Sequence, residues 1–409
     1  MKCRHCHTEL TLSLIDLGSA PPSNAYLTEQ TLHLPEKWYP LKVKVCDHCW
    51  LVQTEDFVGV NEIFSEDYAY FSSFSASWLD HAKTYVEKMV SRFNLTTESM
   101  VVEIAANDGY LLQYVKEKNI SCYGVEPTHS TAQAAREKGI KIIEEFFGSK
   151  KAKELVDLKY HADLIVANNV LAHVPDINDF VKGFFILLKP KGIATFEFPH
   201  LLNLVEQSQF DTIYHEHYSY LSLITVQAIL KTNGLTVFDV EEIPTHGGSL
   251  RVYAQRSDTG QQPINDAIAV LHDREIQAGM NTTAFYQGFQ EKAEKIKMKF
   301  VSFLLSAKQQ GKKVVAYGAA AKGNTMLNFS GIRPDLLSYV VDKNSAKQGK
   351  YMPGSRIPIL PLEQLYKNKP DYIFILPWNI ADEVYEQNNE LFKLGAKFFV
   401  AVPNFREID

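Results

Sequence analysis

No stretch of the 409-residue chain approaches the roughly 18 uninterrupted apolar residues of a membrane span. The opening Met1-Lys2-Cys3-Arg4-His5-Cys6 has no apolar core of the signal-peptide kind behind it. Excess basic charge is lacking too: Lys+Arg 42 against Asp+Glu 48 leaves -6, which removes the bulk electrostatic case for nucleic acid or an anionic membrane. Cysteine is scarce, with five in all. A complete G-x-G-x-x-G turn is absent from the first α/β segment, which argues against a dinucleotide there. What is present, 45% apolar and 22% charged residues, is ordinary globular composition for two or three domains. The expectation is a soluble, cytoplasmic, multidomain protein.

Four of the five cysteines form two tight pairs, Cys3-x-x-Cys6 and Cys46-x-x-Cys49. Each such turn offers two thiolates to one tetrahedral ion, and the second completes the shell. With all four positions filled by sulfur no site is left for water, so the expected zinc is structural. Cys3 to His7 also reads as the haem c pattern C-x-x-C-H, but that gives Cys46 and Cys49 no use. A redox dithiol would require a thioredoxin-like context that is missing. His5, His7 and His48 stand close enough to replace a ligand, although four sulfurs suffice. Cys122 lies in an apolar strand and reads as core.

Strands then alternate with helices. Val101–Ile104, Cys122–Glu126, 141–143, Asp163–Ala167 and Gly192–Phe198 read as strands, with two late ones at Leu235–Val240 and Leu250–Gln255. This predicts a doubly wound sheet with ligands at the strand C-termini. Helices are expected over 263–278 and 283–310. A second unit follows, with a strand at 313–317, a glycine-containing turn and helix start over 318–325, and a strand over 337–341 ending at Asp342. The architecture reads as two Rossmann-type units in tandem.

Chemistry concentrates at three places. Strand one ends in Glu103-x-x-x-Asn107-Asp108-Gly109, and strand two closes on Glu126, where an acid can accept both ribose hydroxyls of an adenosine. S-adenosylmethionine has no pyrophosphate and tolerates the missing glycines, so the pattern favours it over a dinucleotide or an empty pocket. Asn168, Asn169 and His173 follow strand four, where a methyltransferase meets the methionine part of that cofactor. Tyr214-His215-Glu216-His217-Tyr218-Ser219-Tyr220 crowds two histidines, a carboxylate and three phenols at the mouth of the sheet. It reads either as a polar loop or as a general-base site, since a histidine near a carboxylate abstracts protons near pH 7. His246-Gly247-Gly248-Ser249 is either a plain hairpin or a source of donors to the same cleft.

Together with the run Tyr68-x-Tyr70-x-Ser72-Ser73-x-Ser75-x-Ser77-Trp78 and Tyr317-Gly318-Ala319-Ala320-Ala321-Lys322-Gly323-Asn324-Thr325, these motifs carry a resemblance. Along essentially its whole length the chain resembles the nucleotide-sugar C-methyltransferases of branched deoxysugar biosynthesis. Ala105 departs from the glycine common in methyltransferases.

The resemblance implies a zinc-binding module with its aromatic linker (1–75), a class I S-adenosylmethionine methyltransferase domain (76–256) and a C-terminal Rossmann-like domain (257–409). It implies methylation of carbon 3 of a dTDP-linked 4-keto-deoxysugar through an enolate. His217 would be the base, with Glu216 and Tyr214 orienting it or the sugar, and Tyr68 in the same pocket. Phe74 and Ser75 would join Glu103, Asn107, Asp108, Gly109, Glu126, Asn168, Asn169 and His173 around the cofactor. Tyr70, His200, His246, Lys322 and Asn324 would bind substrate, with Lys322 at a helix N-terminus suited to a diphosphate, unless the second unit is only structural. Removing zinc would unfold the first module without touching chemistry directly. The alternatives are an O-methyltransferase, a nicotinamide-dependent reductase or epimerase, and a non-catalytic zinc-ribbon adaptor.

Overall fold

The computed structural model describes residues 1–57, 59 and 71–408. The expected catalytic Tyr68 and substrate residue Tyr70 lie outside the described residues.

The N-terminal strands are β1 (Leu12–Ala20), β2 (Tyr39–Val45) and β3 (Val52–Thr54). In β2 the alternation is strict: Leu41, Val43 and Val45 are buried while Lys42 and Lys44 turn outward. The central sheet comprises β4 (Met100–Ile104), β5 (Ser121–Val125), β6 (Ile142–Ile143), β7 (Ala162–Asn168) and β8 (Leu188–Pro199), joined by β10 (Leu235–Ile243) and β11 (Ser249–Arg256). Its order is β10-β11-β8-β7-β4-β5-β6, parallel from β6 to β8, with β11 antiparallel to both its neighbours. That is the class I methyltransferase arrangement. Residues 192–198 of β8 are buried on both faces, as a strand covered by helices must be. One covering helix, Ile177–Leu187, is capped by Asp176, which accepts from Asp179 N, and buries Ile177, Phe180, Val181, Phe184 and Leu187 along one stripe.

The intervening β9 (Ser219–Tyr220) leaves the central sheet. It pairs with β3 at the edge of the N-terminal sheet, in the register Val52↔Tyr220 and Gln53↔Ser219.

The third sheet contains β12 (Val314–Tyr317), β13 (Val340–Val341), β14 (Ile359–Leu360), β15 (Tyr372–Ile375), β16 (Lys397–Val400) and β17 (Arg406–Ile408). Its order is β14-β13-β12-β15-β16-β17, with only β17 antiparallel. The two α/β units repeat one local device. Glu126, just past β5, accepts from Asn107 N at 2.9 Å, and Asp342, just past β13, accepts from Ala319 N at 2.7 Å. In the second unit the corresponding corner is filled from the N-terminal module, because Tyr26 Oη donates to Ala319 O at 2.6 Å.

A single hydrophobic cluster runs through β1–β3, residues 201–213, the helix Phe289–Gln309 and β12. The core therefore crosses the expected segment boundaries. No helix among the described residues is long and apolar enough to cross a membrane.

Candidate active site

The four expected cysteines converge, with their sulfurs within 4.8 Å of one another. Cys3–Cys49 and Cys6–Cys46 are each 3.5 Å apart. A tetrahedron with Zn–S near ~2.3 Å has edges of about 3.8 Å, so the set fits one ion. Each pair is wrapped by a tight turn, in which His7 N donates to Cys3 O and Trp50 N to Cys46 O. Gln53 Nε2 donates to Cys3 Sγ at 3.3 Å, an outer hydrogen bond of the kind that steadies a thiolate.

At the C-terminal edge of β4 the loop 105–109 turns through left-handed backbone at Ala105, Asn107 and Gly109. A side chain at Gly109 would strike Ile140 Cδ1 at 2.4 Å, so this position of the loop has to be glycine. Glu126 Oε1 accepts from Thr128 N and the Thr128 hydroxyl, and Oε2 accepts from Asn107 N, which leaves a lone pair on Oε2 for a ribose hydroxyl. Glu103 is buried beneath the loop with the Tyr110 hydroxyl nearby, and burial raises its carboxyl well above the ordinary range. Neither Glu103 oxygen, nor either amide atom of Asn168, meets a well-formed hydrogen bond among the described residues. Buried polar atoms left this way need a partner, and a cofactor with amino and carboxylate groups supplies one. The residues therefore fit S-adenosylmethionine.

The described end of the aromatic linker meets the cofactor loop. Ser72 N donates to Asn107 Oδ1, and the Ser73 hydroxyl bonds the Asp108 carboxylate. Phe74, by contrast, is 61% exposed, and Ser75 caps the helix Ala76–Phe93 by accepting from Trp78 N. Ser72 and Ser73, not the next two residues, hold the cofactor loop.

Glu126→Ala is expected to weaken S-adenosylmethionine binding about tenfold or more, measured by calorimetry, and to lower Tm as the Asn107 and Thr128 amides lose their acceptor. Unchanged affinity would move the ribose site elsewhere.

The segment 210–220 is held from three sides. Thr54 Oγ1 donates to His217 O at 3.0 Å, and Asn24 Nδ2 to Glu216 Oε1 at 2.6 Å. From the C-terminal unit Thr325 Oγ1 donates to Ile213 O, and Trp378 Nε1 to Asp211 Oδ2, both at 2.8 Å. From the central domain Ala172 O accepts Tyr218 N. His217 itself packs at a 35° tilt against Tyr214 (3.9 Å) and edge-on to His173 (4.7 Å). Its Nδ1 lies 2.8 Å from Thr212 O, so the ring proton sits there and Nε2 is left as an acceptor. Burial first, then the nearby His173, lowers the pKa of His217 well below the usual imidazole value.

Glu216 Oε1 accepts from Asn24, and the Thr212 carbonyl orients His217. His215 turns away to the Tyr39 and Pro40 carbonyls of β2. His200 is fully enclosed: its Nε2 pairs at 2.7 Å with Glu275, whose carboxylate also caps the helix Leu223–Thr232 through Leu223 N and Ile224 N. The structure does not bring His200 to the cleft.

His246 does reach it, meeting Asn169 Nδ2 at 3.2 Å and Trp78 at 5.1 Å. Lys322 lies over the Trp378 ring, with Nζ donating to Asn379 Oδ1 at 2.7 Å. Burial pushes the carboxyl of Asp211 up to about 7, against the pull of Lys322 and Trp378. Asn324, 1% exposed, has neither amide atom partnered among the described residues. Sequence reasoning missed Asp211, Trp378 and Asn379. The last two follow β15 directly, and a search of strand C-termini in the second unit finds them.

Three family models match consecutive stretches of the chain: a "Putative zinc binding domain" over residues 3–64, a "Methyltransferase domain" over 78–240, and a "C-methyltransferase C-terminal domain" over 244–403. C-methyltransferase NovU of Streptomyces niveus is 31% identical over 407 residues, covering 100% of this chain and 96% of that protein. Among solved structures, magnesium protoporphyrin IX methyltransferase (ChlM) from Synechocystis PCC 6803 with bound SAH matches at 16% identity over 44% of this chain and 83% of that one, TM-score 0.36. The PH0226 protein from Pyrococcus horikoshii OT3 matches at 14% identity over 46% and 95%, TM-score 0.38.

Sheet order, cofactor loop and matched domain define an S-adenosylmethionine-dependent methyltransferase carrying a four-cysteine zinc module. The chain belongs to the C-methyltransferase family.

Proposed function

We propose that this enzyme methylates carbon 3 of a dTDP-linked 4-keto-deoxysugar, with His217 as the general base that forms the enolate. The observation that carries the reading is the His217 imidazole, neutral by burial and fixed by Thr212 O with Nε2 unprotonated. A carbon nucleophile has to be made from a weak acid, so a C-methyltransferase needs a positioned base and a substrate whose C–H is activated by a neighbouring carbonyl. An O-methyltransferase needs a base only for a hydroxyl proton and needs no ketone in its substrate. The relationship to C-methyltransferase NovU supports the same choice. S-adenosylmethionine, when bound, supplies the electrophilic methyl group.

On this reading Glu103, Asn107, Asp108, Gly109, Glu126, Asn168, Asn169 and His173 surround the cofactor. Tyr214 packs the base, and catalytic and substrate-binding roles are proposed for Tyr68 and Tyr70. Lys322 and Asn324 bind the sugar nucleotide from the N-terminal turn of the helix Ala321–Phe329. The dTDP linkage and the cytoplasmic location are part of the proposal.

The test is product mass and NMR after incubation with S-adenosylmethionine and a panel of dTDP-4-keto-deoxysugars. One methyl on the carbon beside the ketone is expected. A methyl on oxygen would keep the cofactor and overturn the enolate, and protein that binds no cofactor would be an adaptor.

A further inference from the structure

His217 and His246 share the Nδ1–H tautomer but are held through opposite nitrogens, His217 through Nδ1 and His246 through Nε2. The Thr212 carbonyl can only accept, so His217 carries its proton on Nδ1. At His246 the partner of Nε2 is the amide nitrogen Asn169 Nδ2, which can only donate. The lone pair of His246 is therefore on Nε2 and its proton on Nδ1. One ring is arranged to take a proton and the other to offer a hydrogen bond.

The backbone around the second ring is unusual. Asn169 (φ 54°) and His246 (φ 55°) both adopt the left-handed conformation, and Gly247 and Gly248 follow with positive φ. Strain of this kind in a non-glycine residue concentrates at functional sites. The turn has no slack: a side chain at Gly247 would meet Trp378 Cη2 at 2.4 Å, and one at Gly248 would meet Asn203 Nδ2 at 2.3 Å. Trp78 covers the ring from the helix Ala76–Phe93. Lys322, Glu197, His81 and His217 are charged or titratable groups that face it. Burial first, then the Lys322 charge, lowers its pKa to about 4, so the imidazole stays neutral. A neutral imidazole held by its surroundings can serve as an electrophile toward a carbonyl.

We propose that neutral His246 donates its Nδ1–H to the substrate ketone oxygen as that oxygen becomes the enolate. This rests on the carbonyl-substrate reading above. His217 Nε2 takes the proton from the carbon beside the ketone, and the C–H electron pair becomes the new carbon–carbon π bond. The carbonyl π pair moves onto oxygen, where His246 stabilises it by a hydrogen bond without giving up its proton. No oxidant or reductant is involved.

The test follows exchange of that C–H in D2O by proton NMR, with no S-adenosylmethionine present, using the dTDP-4-keto-deoxysugar that the wild type methylates. His246→Ala is expected to slow exchange and methylation about 10²–10³-fold, the usual cost of one oxyanion donor, with substrate KM within a few-fold. His246→Asn tolerates the left-handed backbone, keeps an amide donor and should recover part of the loss. Independently, 15N NMR of the resting enzyme should place the His246 proton on Nδ1. Wild-type exchange in His246→Ala, or a proton on Nε2, would overturn the proposal. A wild type that exchanges no such C–H would remove the carbonyl-substrate reading and this role with it.

Discussion

His217→Asn loses methyl transfer by about 10²–10⁴-fold, the range supplied by a positioned general base, while S-adenosylmethionine binds as before. The two effects separate because His217 lies beyond β8, whereas the cofactor loop lies at the end of β4 and is held by Glu126, Ser72 and Ser73. Asparagine retains a donor for Thr212 O but has no basic nitrogen to offer. Paired measurements of kcat and cofactor affinity check the expectation, and full activity in the variant would remove the assignment of the base. The pH profile adds a sign. Activity needs unprotonated His217, and its pKa is lowered by burial. The acid limb of kcat should therefore fall below pH 6.5, the ordinary imidazole value. A limb near or above 6.5 would mean that another group limits the rate.

Removing zinc should stop catalysis as well as unfold the N-terminal module. The module is not a detached appendage. Its strand β3 pairs with β9, Thr54 holds the His217 carbonyl, and Asn24 holds Glu216. Cys3 and Cys46 are themselves part of the core cluster that includes β7 and β8. Small metal modules derive their folding free energy from the ion, so Cys46→Ser or chelation releases β3 and, with it, one wall behind the base. A misplacement of about 1 Å in a catalytic group can cost 10²-fold, and at least that loss in kcat is expected. Cofactor affinity should change much less. Metal content, circular dichroism and kcat measured on one sample decide it. Zinc-free protein with normal kcat would sink the coupling and restore the separation read from sequence.

Much of the site was legible beforehand, for identifiable reasons. The cysteine pairs signal themselves by spacing, since C-x-x-C geometry is local. Glu103, the Asn107–Gly109 turn and Glu126 sit at fixed offsets from strands whose apolar runs are plain, because a doubly wound sheet puts its ligands at strand ends. His217 stood out because two histidines and three phenols in seven residues are uncommon. What sequence left open were contacts with more than one plausible partner. Phe74 and Ser75 directly follow Ser72 and Ser73, and the start of the helix Ala76–Phe93 decides which pair meets Asn107 and Asp108. His200 reads as a strand-end ligand until Glu275, 75 residues away, closes over it.

The sequence by itself determined the zinc ligands, the cofactor unit and the second α/β unit, because each is written in short-range spacing and periodicity. Tertiary structure alone decided that β9 crosses into the N-terminal sheet, that Trp378 and Thr325 reach the loop before His217, and that His217 and His246 are anchored through opposite ring nitrogens. Those contacts join residues far apart in the chain. The choice among them is made by burial and by which buried polar group must find a partner, and no local pattern encodes that.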